Sequence, residues 1–216
     1  MSRALFESRD SSSRFRFERM GETHAREAAH TRALSRDFGL FSQMDVAFWE
    51  LFFTTIAAGP TTIAHVAVDQ DSGKLAGYII GTTDASKMTR LVVQKHPLRL
   101  LWYGLKMLVL HPSQLRLVLR NVLARKDQIA IPAQRWITWV VAPGYREHGV
   151  GLELYKRLCA DMHARGVSEF YGPVDCENVV SNKAHERIKA ENLGTIIVDG
   201  RAHYLWKHRA DLERAQ

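Results

Sequence analysis

Residues 141–151 read Val-Ala-Pro-Gly-Tyr-Arg-Glu-His-Gly-Val-Gly and join a strand pattern to a helix pattern. The preceding run RWITWVVA predicts the strand, and apolar residues at helical spacing predict a helix over residues 150–165. The first turn of such a helix has backbone N–H groups without intrahelical partners and lies at the positive end of the helix dipole. Gly149 and Gly151 leave the backbone open to an anion, and Arg146 adds positive charge. These features predict a diphosphate-binding loop.

The two glycines have a second interpretation, in which they only allow the helix to pack closely against the sheet. Two familiar phosphate loops do not fit. The stretch lacks the Gly-Lys-Ser/Thr of a P-loop and the third glycine of a dinucleotide fingerprint. A diphosphate site here therefore requires another class of loop, and the packing interpretation stays open on these residues alone.

The remaining patterns place this loop inside a mixed α/β domain. Alternation and turn residues predict strands at 14–18, 63–68, 74–81, 135–142, 169–174, 196–198 and 203–206. Helical spacing and cap residues predict helices at 23–38, 45–58, 97–110, 113–126, 150–165 and 182–192. This order includes a late βαβ unit. We expect a flexible N-terminus over residues 1–13 and one domain over residues 14–216, with a helical insertion at about 91–130.

The charge of the 216-residue chain is concentrated in one segment. The formal net charge is +7, and residues 91–135 hold eight Lys and Arg against one acid, Asp127. The rest of the chain is balanced, with 22 basic and 22 acidic residues, which argues against a nucleic-acid-binding protein. Hydrophobic residues make up 46% of the chain, an ordinary value for a globular domain with a sizeable core.

Composition also bears on location and on metals. The N-terminus has no apolar secretory core, and the apolar run 98–110 is shorter than a membrane span and contains Arg99 and Lys106. Two cysteines without metal spacing form no disulfide framework, and the ten histidines are scattered. We therefore expect a cytoplasmic protein without a metal site.

Residues 146–151, Arg-Glu-His-Gly-Val-Gly, resemble the Q/R-x-x-G-x-G/A signature of the GNAT superfamily of acyl-CoA-dependent N-acyltransferases. The preceding Val-Ala-Pro at 141–143 and the later Asn-Val-Val-Ser at 178–181 are also similar to segments of that family. The resemblance implies a GNAT-like α/β fold, in which helices flank a mixed central sheet. It also implies acetyl-CoA, or another acyl-CoA, as the cosubstrate.

The resemblance assigns expected roles to particular residues of this chain. The CoA diphosphate would bind backbone N–H groups of Arg146, Glu147, His148, Gly149, Val150 and Gly151. The pantetheine amides would pair with the strand edge at Trp139, Val140 and Val141. The Val141 N–H would polarise the thioester carbonyl, and Asn178 and Ser181 would contact the pantetheine arm or its thiol end.

The proton donor for the departing thiolate is left open by the sequence. The family often has a tyrosine on the helix after the second strand of the βαβ unit. This chain has no tyrosine between Val180 and Gly194. Ser181, Tyr171 and Tyr204 are the candidate donors, and none is preferred.

The base for the acceptor amine is also open. Asp175 and Glu177 lie in a segment where the two central strands should diverge, and a water chain would serve equally well. The alternative for both carboxylates is a solvated loop or a cap for the next helix. Cys176 is expected to be a small, half-buried residue rather than a nucleophile.

These observations predict an N-acetyltransferase of class EC 2.3.1, which moves an acetyl or short acyl group to a primary amine by direct attack in a ternary complex. The acceptor would be a small-molecule or peptide amine. Because the tyrosine is missing, a non-catalytic CoA-binding sensor or adaptor is the alternative. A homodimer through the last hairpin is left open, and no nucleic-acid partner is expected.

The insertion at 91–130 has three interpretations. It combines the runs LRLLWYGLKMLVL and QLRLVLRNVLARK, in which apolar faces adjoin unbalanced positive charge. One interpretation is a helical hairpin packed on the domain. The second is an amphipathic hairpin on an anionic membrane, which would make the protein peripheral to the membrane. The third is a surface for an acidic partner, and in either of the last two the hairpin itself could be the functional surface.

Overall fold

The computed structural model describes residues 14–34, 44–110, 131–198 and 200–211. Seven strands form one sheet: β1 (Phe15–Arg19), β2 (Thr62–Asp69), β3 (Leu75–Thr82), β4 (Arg135–Val141), β5 (Glu169–Asp175), β6 (Glu191–Val198) and β7 (Arg201–Arg209). Within these described ranges six helices accompany them: α1 (Glu22–Leu34), α2 (Val46–Ala57), α3 (Ala85–Lys95), α4 (Pro97–Leu110), α5 (Val150–Ala164) and α6 (Val179–Arg187). The predicted mixed α/β class is confirmed.

The sheet contains one parallel junction at its centre. The strand order is β1-β2-β3-β4-β5-β7-β6, and every neighbouring pair except β4–β5 is antiparallel. Among the described residues, β4 and β5 pair only where Arg135 lies opposite Tyr171, with the Tyr171 N–H donating to Gln134 O at 3.0 Å. Beyond this pair the two strands separate. We call the space between residues 136–141 and 172–175 the strand gap.

Two apolar layers cover the sheet. On one face α1, α2 and α3 pack against Val66, Tyr78 and Ile80. On the other face α5 packs against the side chains that alternate with these along the strands and point to the opposite side, including Ile63 and Ile79. The predicted apolar stripe of α5 is confirmed, because its members are at most 1% exposed: Val150, Leu154, Leu158 and Met162.

Two helices differ from the sequence-based expectation. The predicted helix 182–192 is wrong in its bounds, because α6 begins at Val179 and a strand begins at Glu191. The Asn178 side chain caps α6, and Lys189 adopts a positive φ of 56° that ends the helical path. Helix α3 was not predicted, because only three of its eleven side chains are buried and its sequence is largely polar.

The insertion is only partly described. The predicted helix 97–110 is confirmed as α4, whereas the predicted helix 113–126 lies outside the described residues, as does the N-terminal segment 1–13. None of the described helices has the length and hydropathy needed to cross a bilayer.

Candidate functional site

The loop between β4 and α5 is held against the edge of the domain. After β4 ends at Val141, Pro143–Tyr145 forms a 3-10 turn in which the Tyr145 N–H donates to Ala142 O at 2.9 Å. The Tyr145 hydroxyl lies 3.3 Å from Ser72 Oγ, and its ring contacts Phe15 edge to face at 5.9 Å. The loop is therefore anchored to β1 and to the β2–β3 turn.

The start of α5 presents unpaired backbone donors. The first bond within the helix runs from the Glu153 N–H to Gly149 O, at 3.1 Å. The N–H groups of the three preceding residues thus point out of the helix end, where the dipole is positive. Residues 146–149 are exposed, so an anion can reach these donors together with the Arg146 side chain. The backbone of the loop is further fixed by His148, whose Nδ1 donates to Arg146 O at 2.7 Å.

The two glycines of the motif have different functions. Gly149 has a φ of 76°, a left-handed conformation that favours glycine, and Glu147 shares it at 67°. A Cβ added to Gly151 would lie 3.3 Å from Val141 Cγ2 and 3.5 Å from Trp139 Cζ2. The packing interpretation is thus favoured at Gly151, whose missing side chain lets α5 lie close to β4, while its role beside an anion stays a prediction.

The free edge of β4 borders the strand gap. The Ala142 N–H donates to Ala76 O on β3 at 2.9 Å. Because backbone groups alternate between the two sides of a strand, the N–H groups of Val141 and Trp139 point away from β3 and into the gap. By the same alternation the backbone of Val140, which lies opposite Tyr78, bonds to β3. Of the three predicted pantetheine-pairing residues, two therefore face the gap.

An aromatic cluster lies at the strand gap, on the α5 face of the sheet. The His185 imidazole is stacked between two indoles, with ring centroids 5.3 Å from Trp136 and 5.6 Å from Trp206. The Trp139 ring stacks on Tyr155 at 5.6 Å and meets His185 edge to face. The cluster links β4, α5, α6 and β7 at the point where β4 and β5 separate.

Several polar atoms of this cluster are buried without a hydrogen-bond partner among the described residues. They are Trp136 Nε1, Trp139 Nε1, both ring nitrogens of His185, and His208 Nε2. Each of the two histidines is 1% exposed. Burial lowers the pKa of His185 to about 4 and that of His208 to about 3, so both imidazoles are neutral at pH 7. Buried polar groups are normally paired, so these five atoms are exceptions among the described residues.

His185 is a residue that sequence reasoning missed. The available signal was its spacing, because Asn178, Asn182 and His185 fall at i, i+4 and i+7 on one helical face. The structure buries the last two at 7% and 1% exposure. Asn182 accepts from Trp206 Nε1 at 3.0 Å and donates to Asp175 O at 3.0 Å, which holds α6 against β5 and β7.

The start of α6 lies at the same end of the sheet as the start of α5. Because β4 and β5 run parallel, their carboxyl ends flank the wide end of the strand gap. The Asn178 side chain accepts the Ser181 N–H at 3.1 Å. These two residues, which were predicted to contact the pantetheine arm, therefore form the N-terminal cap of α6 at that end. The structure therefore brings Asn178 and Ser181 to the same side as the β4–α5 loop.

Tyr171 lies at the other end of the strand gap. It pairs with Arg135, which is six residues, or about 20 Å of strand, from Val141. Its hydroxyl donates to Glu169 at 3.1 Å, and partial burial and that carboxylate raise the pKa of Tyr171. The structure thus places Tyr171 at the end of the strand gap opposite Val141.

Asp175 and Glu177 form an ion-pair network with Arg201. Arg201 Nε lies 2.7 Å from Asp175 Oδ2, and its Nη2 lies 2.7 Å from Glu177 Oε2. Although burial opposes the shift, the Glu177 N–H and the Arg201 guanidinium hold the pKa of Asp175 below its usual value. This arrangement favours the structural alternative for Asp175, since a carboxylate with a lowered pKa is a weak base. No cluster suited to a metal ion occurs among the described residues.

Solved structures of GNAT acetyltransferases have the same fold as this chain. A Bordetella pertussis protein assigned to the GNAT family superposes with a TM-score of 0.57 at 14% identity, covering 90% of this chain and 95% of that one. The ribosomal-protein-S18-alanine N-acetyltransferase of Escherichia coli gives 0.54 at 12% identity, with coverages of 91% and 94%. The spermidine/spermine N-acetyltransferase of Vibrio cholerae gives 0.55 at 12%, with coverages of 95% and 99%.

Sequence comparison alone does not detect these similarities, since neither a family model nor a curated protein matches the chain. The protein thus has the GNAT fold that the motif at 146–151 predicted.

Proposed function

We propose that this protein is an acyl-CoA-dependent N-acyltransferase that moves an acetyl or short acyl group to a primary amine. The observation that carries the proposal is the position of the α5 N-terminus beside the free edge of β4. The helix N-terminus suits a diphosphate, and the strand edge suits a chain of amides. The GNAT fold of the chain and the motif at 146–151 support the same activity.

The chain would bind the acyl donor mainly through its backbone. The outward N–H groups at the start of α5 and the Arg146 side chain would hold the diphosphate. The β4 edge would pair with the pantetheine amides through Trp139 and Val141. Asn178 and Ser181 would contact the pantetheine arm from the opposite side of the strand gap.

The chemistry would then proceed by direct attack. The neutral amine adds to the thioester carbonyl, whose developing negative charge the Val141 N–H stabilises. The C–S bond breaks, an amide forms, and the proton lost by the amine balances the one gained by the thiolate. Ser181 and Tyr204 stay as candidate proton donors. Tyr171 lies at the other end of the strand gap, and His185 is neutral at pH 7 and has no acidic proton to give. For the base, Asp175, Glu177 and water remain alternatives.

The acceptor is proposed only as a small-molecule or peptide amine. The named acceptors of the neighbouring structures differ, since one is a ribosomal-protein alanine and the other is spermidine or spermine. A non-catalytic CoA-binding sensor is the second candidate function, because α6 contains no tyrosine. Pairing of two copies through the β6–β7 hairpin is a further proposal.

Calorimetric titration with acetyl-CoA tests the donor site. We expect micromolar binding by the wild type and at least tenfold weaker binding by Arg146→Glu/Gly149→Asp, because charge-assisted contacts are worth about 2 kcal/mol. Lys156→Glu is the control, since it reverses an exposed charge on α5 away from the loop and should leave binding unchanged. Equal binding by the double variant, or none by the wild type, would contradict the proposal.

Turnover separates the two candidate functions. The assay measures thiol release from acetyl-CoA in the presence of a panel of primary amines. Release that depends on one amine supports the transferase. Binding of acetyl-CoA with no release for any amine in the panel would favour the sensor instead.

A further inference from the structure

Helix α4 exposes a continuous apolar face. Five large apolar side chains fall at i, i+3, i+4, i+7 and i+11, the spacing of one helical stripe. Their exposed fractions are high: Leu98 79%, Leu101 60%, Trp102 65%, Leu105 49% and Val109 77%. Single exposed apolar residues are common, but a contiguous stripe of this kind marks a contact surface.

The opposite side of α4 is attached to the domain. Leu100 and Tyr103 pack against the core on the α2 face, and the Tyr103 ring meets Phe48 edge to face at 5.5 Å. Lys106 Nζ lies 2.6 Å from the Asp45 carboxylate at the start of α2. These contacts hold the helix in one rotation about its axis, and the apolar stripe therefore faces outward.

The surroundings of the stripe are positively charged. Helices α3 and α4 together contain five basic residues and no acidic residue. Two of the five, Lys87 and Lys106, pair with Asp84 and Asp45. The other three are exposed and have no carboxylate partner among the described residues: Arg90, Lys95 and Arg99. An apolar stripe with unpaired cations beside it is complementary to lipid tails beneath anionic headgroups.

We propose that this face, made of α4 and the adjacent cations of α3, docks on an anionic phospholipid surface. The stripe enters the headgroup region with Trp102 at the boundary, while Lys95 and Arg99 contact the lipid phosphates.

Vesicle flotation tests the proposal directly. The full chain is mixed with vesicles of phosphatidylcholine alone, or of phosphatidylcholine with about one third phosphatidylglycerol, a fraction that gives a negative surface potential. We expect flotation only with the anionic vesicles, reduced by high salt. The variant Leu101→Glu/Leu105→Glu should bind at least tenfold more weakly.

The matched control is Leu193→Glu/Ile197→Glu. It adds the same two charges at apolar residues of the β6 strand that are 46% and 50% exposed, and it should float like the wild type. Thermal unfolding by circular dichroism, which does not depend on acyl-CoA binding, checks that both variants are folded. A blue shift of tryptophan fluorescence on vesicle addition, absent in Trp102→Phe, would place α4 at the lipid.

Four results would each overturn the proposal. They are no flotation with anionic vesicles, equal flotation with neutral vesicles, undiminished flotation of the folded α4 variant, and a dimer of the wild type that this variant dissolves without any lipid binding. The last would assign the stripe to a second copy of the chain. None of these results depends on whether the protein transfers acyl groups, so the two proposals fail separately.

Discussion

Gly172 on β5 lies beneath the Trp136 indole, and this contact can be used to test how the strand gap is built. A Cβ added at Gly172 would overlap the indole ring at its Nε1 edge. Because the overlap involves a ring stacked on His185 rather than the end of a flexible chain, Gly172→Ala must displace Trp136 or separate β4 from β5. Either movement breaks the stack of Trp136 on His185.

The expected cost follows from the geometry. Overpacking of a well-packed site costs about 1–3 kcal/mol, and we expect Gly172→Ala to fall in the upper half of that range. Trp136→Leu removes the ring, and we expect it to cost a similar amount because Trp136 is half-buried. In the double variant the new methyl group fills space that the indole has left. Its cost should be lower than the sum of the single variants by about 1–2 kcal/mol.

Urea unfolding of the four proteins measures this coupling, provided that the slope with denaturant stays constant. Gly144→Ala is the control, because an added Cβ there meets nothing within 4 Å and should change stability by less than about 0.5 kcal/mol. Single-variant costs that add within about 0.5 kcal/mol would refute the reasoning. They would mean that Gly172 and Trp136 are not in direct contact.

Two further predictions concern stability. His185 has a pKa of about 4 in the folded protein against an ordinary 6.5, so between these pH values the unfolded chain binds more protons than the folded one. Lowering the pH from 7 to 5 should therefore reduce the free energy of unfolding by about 2 kcal/mol more in the wild type than in His185→Phe. Equal losses of the two proteins in urea unfolding would contradict this prediction. Asp45→Ala removes both the cap bond to the Phe48 N–H and the Lys106 ion pair, and should cost about 1–2 kcal/mol in thermal unfolding. Asp45→Asn keeps the cap bond and removes only the ion pair, so it should cost less than half as much stability as Asp45→Ala. A larger cost would mean that the ion pair, and not the cap bond, dominates.

Local patterns in the sequence were sufficient for most of the elements. The strand before residue 142, the hairpin of β2 and β3, and α5 were predicted within one or two residues of their observed bounds. These elements have clear periodicity and end at turn residues or glycines, so a short window contains the information. Asp45 is an example, since it was predicted to begin a helix and its side chain accepts the Phe48 N–H at 3.0 Å.

The candidate site was only partly predictable. The residues of the β4–α5 loop were identified from the sequence, because helix starts with glycine and arginine have a recognisable chemistry. The burial of His185 between two indoles could not be predicted, since Trp136 and Trp206 are far from it along the chain and come together only when β7 pairs with β5. The shifted bounds of α6 also depend on contacts of Asn182 with β5 and β7.

The sequence by itself determined the α/β class, the order of the elements, the loop at 146–151 and the concentration of positive charge in residues 91–135. All of these depend on residues that are neighbours in the chain. Tertiary structure alone decided that Val141 and Trp139 face the strand gap, that Gly151 allows α5 to approach β4, and that the apolar stripe of α4 faces outward. Each of these depends on strand register or helix rotation, which are set by contacts between residues distant in the sequence.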